Sequence, residues 1–269
     1  MTTRMTAQRL ARLIAAGDVD AVRTAVEGSP RLLGSTVERD GQSGWTPLHL
    51  AVAAGRPETV RVLVEAGADL TARTEFNRTA LHVALQRHPE LVPLLRELGA
   101  DVDAPSAAYL GDVGQLTRHL DDGTSPGDRV SGVDLLSWAA YGGAAPTAEL
   151  LLARGADADT GALHFAAGGG RLPLVRLLLD AGADVNRRDP ATGRTPLHAA
   201  MAADPGGDMA EIVRALLAAG ADVRATTSDG ASALDMSHLA AARSRRGDAG
   251  QAHGHDALAE LLLSHGAGT

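Results

Sequence analysis

The chain has 269 residues, of which 45% are hydrophobic and only 2% aromatic, with a formal net charge of −8 and a pI near 5.6. That balance argues against broad nucleic-acid binding, which needs a basic face to displace counterions from phosphates. Cysteine is absent, which excludes disulfides, thiolate metal sites and a cysteine nucleophile, and all 25 basic side chains are arginine, which excludes lysine Schiff bases and Walker-type phosphate loops. No apolar run approaches the roughly 18 residues a membrane span requires, and Met1 to Leu10 carries Arg4 and Arg9 without a signal-peptide core. A cytoplasmic, non-membrane protein is expected. The bias to Ala, Gly, Arg and Asp without Lys reads as a high-GC, bacterial type of composition.

Residues 6–39 are predicted as a first helical pair, with Leu10, Leu13 and Ile14 on one face, then Gly17-Asp18 as a turn, then Val19, Val22 and Val26. Val37 to Gly44 reads as a hairpin loop. In residues 40–72, Thr46 is placed as an N-cap and Pro47 at the first helical position, where its absent N–H costs nothing. Leu48, Ala51 and Val52 then follow at helical spacing, and Gly55 ends the helix. Thr59 to Glu65 is predicted as a second helix with Val60, Leu63 and Val64 facing in, stopped by Gly67. Residues 73–103 repeat the plan, with Asn77 in place of a hairpin glycine and Pro89 and Pro93 near the second helix. Residues 104–130 are degenerate, with short helices at Ser106–Leu110 and Gln115–Leu120 and a turn-rich loop from Thr124 to Arg129. Residues 131–158 recover the repeat with Ser137 at the histidine slot. Residues 159–186 have a clipped hairpin, and 187–223 are lengthened by Asp204 to Asp208. Residues 224–269 close the array, with an insertion at 241–256 read as a loop, a last helix at Ala257–Leu263 and Gly266 as its stop.

Two words recur together. Thr46-Pro47-Leu48-His49, Thr79-Ala80-Leu81-His82, Gly161-Ala162-Leu163-His164 and Thr195-Pro196-Leu197-His198 are followed by Gly-Ala-Asp at Gly67, Gly99, Gly182 and Gly220. His49 to His82 is 33 residues and His164 to His198 is 34. A fixed period in this range means stacked supersecondary units. The pattern resembles the ankyrin repeat over nearly the whole chain. The resemblance implies an all-α ankyrin-repeat solenoid of stacked helix–turn–helix units with connecting hairpin loops, here a single domain over 1–269 with atypical capping units at both ends. It does not supply a function.

No residue set reads as catalytic. His49, His82, His164 and His198 occupy one repeat position and are expected to bond backbone locally and tie units together. They are one repeat, or about 10 Å, apart, too far to share a metal ion. His253-Gly254-His255-Asp256 and the run Arg243, Arg245, Arg246 are read as solvated loop rather than as a metal site or an anion contact. Gly168-Gly169-Gly170 is read as an inter-helix turn. No metal and no cofactor are expected. Trp138 and Phe165 fall at the slot of Leu50 and Val83 and are read as packing residues.

The resemblance places Trp45, Phe76, Arg78, Gln86, Arg87, Tyr141 and Arg194 on the concave, partner-binding face. Trp, Tyr and Arg dominate interface energies, so a non-catalytic protein-interaction or scaffold module, monomeric and binding one protein partner, is the leading expectation. The alternative is a small-molecule or catalytic pocket at the irregular centre, about residues 104–165, built from Tyr109, Asp128, Arg129, Trp138 and Tyr141.

Overall fold

The structure, a computed structural model, describes residues 5–130, 132–203, 207–244 and 249–267. Sixteen α-helices lie among the described residues, and they come in pairs. The first pair is α1 (Ala7–Ala16) and α2 (Val19–Gly28), followed by a 3-10 turn at Pro30–Gly34 and the strands β1 (Val37–Arg39) and β2 (Gln42–Trp45). Then come α3 (Pro47–Ala53) with α4 (Pro57–Glu65), and α5 (Ala80–Arg87) with α6 (Val92–Glu97), the latter entered through a 3-10 turn at Pro89–Leu91. The degenerate repeat is α7 (Ala104–Leu110) and α8 (Val113–Asp121), and the two-residue strands β3 (Arg129–Val130) and β4 (Val133–Asp134) follow it. The remaining pairs are α9 (Leu135–Gly142) with α10 (Ala145–Ala153), α11 (Ala162–Gly168) with α12 (Leu172–Asp180), α13 (Pro196–Ala202) with α14 (Met209–Ala218), and α15 (Ala233–Ser244) with α16 (Ala249–Ser264).

Two compact units separate along the chain. One runs to Ser106 and includes Val130 and Gly132; the other comprises Ala107–Arg129 and the chain from Val133 onward. In the first unit, α3 packs on α1 and α5 in one layer, while α2 packs on α4 in the other. In the second unit, α11 lies between α9 and α13, α13 continues to α15, and α8, α10, α12 and α14 form the second row. Each layer is glued by small and branched apolar side chains. Leu48, Leu81, Leu95, Leu135 and Leu151 are all essentially inaccessible to solvent, each worth about 1.5–3 kcal/mol of burial. On α4 the buried residues are Thr59, Val60, Val62 and Leu63, and Val64 is only half-buried, so the inward face is rotated from the predicted one toward Val62.

The first hairpin turns at Asp40-Gly41, where φ is +53° and +72°, the double positive that a right-twisted two-residue turn requires and that Asp-Gly supplies. Asn77, at φ +58°, does the equivalent work in the next loop. One expectation is corrected at the C-terminal end. The stretch predicted as a loop insertion is helical on both sides, closing α15 at Ala241–Ser244 and opening α16 at Ala249–Asp256. Ala241, His255, Leu258 and Leu262 are buried where the two helices pack, and the Ser237 hydroxyl donates to the His255 carbonyl at 2.7 Å. Packing overrides the poor helix propensity of the glycines here. The side chains of Arg243 and His253, and residues Arg245, Arg246 and 204–206, lie outside the described residues.

The repeated histidine explains how neighbouring repeats are held. Thr46 Oγ1 accepts from the His49 amide at 3.4 Å, and the Thr46 amide donates to His49 Nδ1 at 3.3 Å, a closed capping box. Thr79 with His82 and Thr195 with His198 form the same box. Because Nδ1 accepts, the ring proton sits on Nε2, and in His49 it donates to the Arg78 carbonyl of the next hairpin at 3.0 Å. His164 reaches the Arg194 carbonyl in the same way at 3.0 Å. Burial pushes the basicity of His49, His164 and His198 down, which favours this neutral form. In the His82 repeat the outer partner is a side chain: Nε2 lies 3.1 Å from Asp103 Oδ1, and that oxygen also accepts from the Ser106 hydroxyl at 2.7 Å.

Burial raises the Asp103 carboxyl, but the hydrogen bond and charge of His82, with the Ser106 hydroxyl and amide, outweigh it and hold the group at about 2. The folded value lies below the ordinary one near 3.9, so the stability it contributes is present above about pH 4 and is lost as pH falls toward 2. Wild type and Asp103→Asn compared by urea unfolding should differ by about 2 kcal/mol at pH 4–5, with the gap closing by pH 2. A gap that does not vary with pH would remove the Asp103 carboxylate and its hydrogen bonds from the account.

Candidate functional site

Two of the chain's six aromatic side chains, Trp45 and Phe165, do not play the parts that sequence spacing gives them. Trp45, at the end of β2, is only 3% exposed. Its ring meets His49 edge-on at 6.1 Å, and the guanidinium groups of Arg39 and Arg87 lie 5.3 Å and 5.9 Å from its centroid. Arg87 also pairs with Asp40 at 3.4 Å. Trp45 therefore pins the hairpin to the end of α5 beneath two cations, and it offers no ring to a partner. This corrects its expected place on a binding face. Phe76, on the next hairpin tip, is 44% exposed. Arg78 and Gln86 are half-buried beside it in the chain's order of elements, Arg78 giving its carbonyl to His49.

In the second unit, four aromatic residues meet. Trp138, in α9, is 1% exposed, and Tyr109 of α7 stands edge-on to it at 6.4 Å. Tyr109 is again edge-on to Tyr141 at 5.6 Å, and Tyr141 leans on Phe165 of α11 at 5.5 Å. Tyr141 and Phe165 are 39% and 37% exposed. Phe165 thus departs from the packing role expected of it: the same slot is filled by buried Leu50, Val83 and Trp138, but here the ring is drawn outward onto Tyr141. Burial, then the neighbouring Tyr141, raise the Tyr109 phenol, and Arg171 opposes them. The result is an outward-facing row of rings from three successive first helices, with a tryptophan under it and an arginine beside it. Pairs of this kind gain about 0.5–1.5 kcal/mol beyond their area. Arg194 does not join the row. It belongs with His198 of its own repeat, lowered chiefly by burial, and with Asp229 of the next, lowered chiefly by the Thr227 hydroxyl; the charge of Arg194 adds a smaller push in the same direction at each.

The five residues of the expected central pocket fall into two places. Tyr109, Trp138 and Tyr141 belong to the aromatic row. Asp128 closes a local turn, its carboxylate accepting from the Ser125 amide at 3.0 Å. Arg129 lines a cleft of about 250 Å³ together with Asp134, Asp157, Asp159, Thr160 and Arg187. Spacing alone missed Phe165, Arg171, Asp159 and Arg187. The usable signal was the pair of neighbouring aromatics one repeat apart, Tyr141 and Phe165. Among the described residues, no group of three or more His, Asp or Glu side chains is arranged to hold a metal ion. No helix among them is long and apolar enough to cross a membrane.

The family model described as "Ankyrin repeats (3 copies)" matches residues 10–106 and 136–227. Protein phosphatase 1 regulatory subunit 27 of Homo sapiens is 41% identical over 81 residues, 30% of this chain and 49% of that protein. Rabankyrin-5 of Mus musculus is 41% identical over 70 residues, 25% of this chain and 6% of its own. Protein fem-1 homolog A of Bos taurus is 40% identical over 81 residues, 25% of this chain and 12% of its own. The chain spans about half or less of the length of these relatives.

Close backbone approach sets the aromatic row. A Cβ built on Gly142, at the end of α9, would sit 2.0 Å from the Tyr109 carbonyl oxygen. Since main chain rather than a movable side chain blocks that space, Gly142→Ala should cost at least about 2 kcal/mol in urea unfolding and shift the Tyr109 and Tyr141 ring resonances. A cost under about 0.5 kcal/mol would show that the two helices are free to separate.

Proposed function

The chain belongs to the ankyrin-repeat family, and on that premise we propose that it is a non-catalytic interaction module that binds a protein partner, with the exposed row Tyr109, Tyr141 and Phe165 as the main contact. One observation carries this reading: four of the chain's six aromatic residues gather in one cluster, and two of its rings face solvent. Large rigid rings over a buried base, flanked by arginine, are the type of group that dominates interface energies. A lone surface ring needs no explanation, but a connected row of them does. Phe76, Arg78, Gln86 and Arg87 of the first unit form a second contact region in this proposal. A net charge of −8 supports a protein partner over a nucleic acid. The name of one relative makes it a regulatory subunit, a role exercised by binding another protein. The module is proposed to act as a cytoplasmic monomer.

The test is affinity capture from a lysate of the source organism with wild type and with the double variant Tyr141→Ala, Phe165→Ala. Both rings are more than a third exposed, so helical content should be unchanged by circular dichroism. Specific capture should fall about 30-fold or more, the effect of losing one interface anchor worth about 2 kcal/mol. Equal capture by the folded variant would sink the assignment.

A further inference from the structure

Hairpin tips in this chain are linked through the main chain. In the first unit, the Glu75 amide donates to the Ser43 carbonyl at 3.2 Å; in the second, the Ser228 amide donates to the Thr192 carbonyl at 2.9 Å. The donor lies seven residues before the capping slot of its own repeat (His82, Asp235), and the acceptor six before that of the preceding one (His49, His198). The ladder is interrupted at the clipped repeat. There, Gly155 to His164 is nine residues, against fifteen from Gly67 to His82 and sixteen from Gly182 to His198. The two groups in ladder register close on their own turns instead. The Ala191 amide donates to its neighbour Asp189 Oδ1 at 3.2 Å, and the Ala158 carbonyl accepts from Thr160 at 2.9 Å. The 250 Å³ cleft lies at this clipped turn, walled by the loops on either side.

The polar groups at this place ask for hydrogen-bond donors. Asp159 Oδ2 takes the Arg187 guanidinium at 2.8 Å, but its buried Oδ1 has no partner. Beyond the cleft lining, in α11, His164 Nδ1 is also buried without a partner. In three other repeats this atom accepts from the amide and hydroxyl of a threonine three residues earlier; here that residue is Gly161, which lines the cleft. Such acceptors cost about 1–3 kcal/mol each when left unmet. Three carboxylates, Asp134, Asp157 and Asp159, outnumber the two guanidinium groups of Arg129 and Arg187 in the cleft lining, which disfavours a small anion, and among the described residues no three side chains are grouped to hold a cation. The volume falls below the roughly 300–1,000 Å³ of drug-sized ligand sites.

We propose that the cleft receives a reverse turn of a partner protein, whose main-chain N–H groups meet Asp159 Oδ1 and which stands where other repeats carry their own hairpin tip. Main-chain pairing of this kind supplies affinity by completing an edge. The proposal rests on the reading of the chain as a protein-binding module but uses a different surface from the aromatic row.

The probe is a cyclised peptide with the chain's own tip sequence, residues 188–194, titrated into the full-length protein and followed by amide and imidazole NMR. Saturable shifts at Asp159, Thr160 and Gly161 are expected. They should disappear in a variant with residues 188–194 inserted between Asp159 and Thr160, and should persist in Tyr141→Ala, Phe165→Ala, which separates this idea from the aromatic contact. No shift at these residues up to millimolar peptide would overturn the proposal, and so would inorganic phosphate producing the shifts in its stead. The wild-type titration decides the matter even if the insertion does not fold.

Discussion

A neutral imidazole sets the spacing of this stack. Its Nδ1 must accept inside the capping box, so its Nε2 must donate, and the only direction left for that proton is the hairpin of the next repeat. Thr46 and His49 satisfy two orphan amides of a short helix and at the same time fix where the Arg78 carbonyl lies. A helix of seven residues has little stability of its own, so the box and the burial beside it carry the local structure together. Where serine replaces histidine, an aspartate takes over the cap: Asp103 for Ser106 and Asp134 for Ser137. Serine is too short to span to the following hairpin. The Ser137 hydroxyl donates to its own cap, Asp134, at 2.9 Å and lies 3.5 Å from the Thr160 hydroxyl, and it is this following loop that is clipped.

Scarce aromatic residues are gathered in a few places. With alanine, leucine and valine sufficient for the thin layers, a ring is needed only where something larger must be covered or reached. Trp45 and Trp138 do the covering, one under two guanidinium groups and one under Tyr109. Tyr141 and Phe165 are left half in solvent, and Gly142 lets the Tyr109 backbone come close enough for the row to form.

The fold was legible in the residues because each signal has a local cause. Threonine caps, proline at the first helical position and glycine stops act within one turn, and their recurrence fixed the period. The histidine ties followed from the same logic. What could not be read was decided by neighbours far along the chain. The burial of Trp45 depends on Arg87, 42 residues later. The exposure of Phe165 depends on Tyr141 in another helix. The helical state of Ala249–Asp256, rich in glycine and histidine, is imposed by α15 packing on the leucines further along α16. The residues grouped for a central pocket divide between two places for the same reason. Adjacency in sequence grouped Asp128 and Arg129 with the tyrosines, while in the repeat the hairpin end and the helix end point to different places.

The clipped repeat separates two duties that the other repeats combine. Without a tip, α11 still packs between α9 and α13, and His164 still reaches the Arg194 carbonyl. Helices therefore hold the architecture, and the hairpins are accessories hung on it. Such a chain can lose, lengthen or exchange its tips one at a time while the frame persists. Its loop surface can then vary in length and shape while the core stays bound to the same few words.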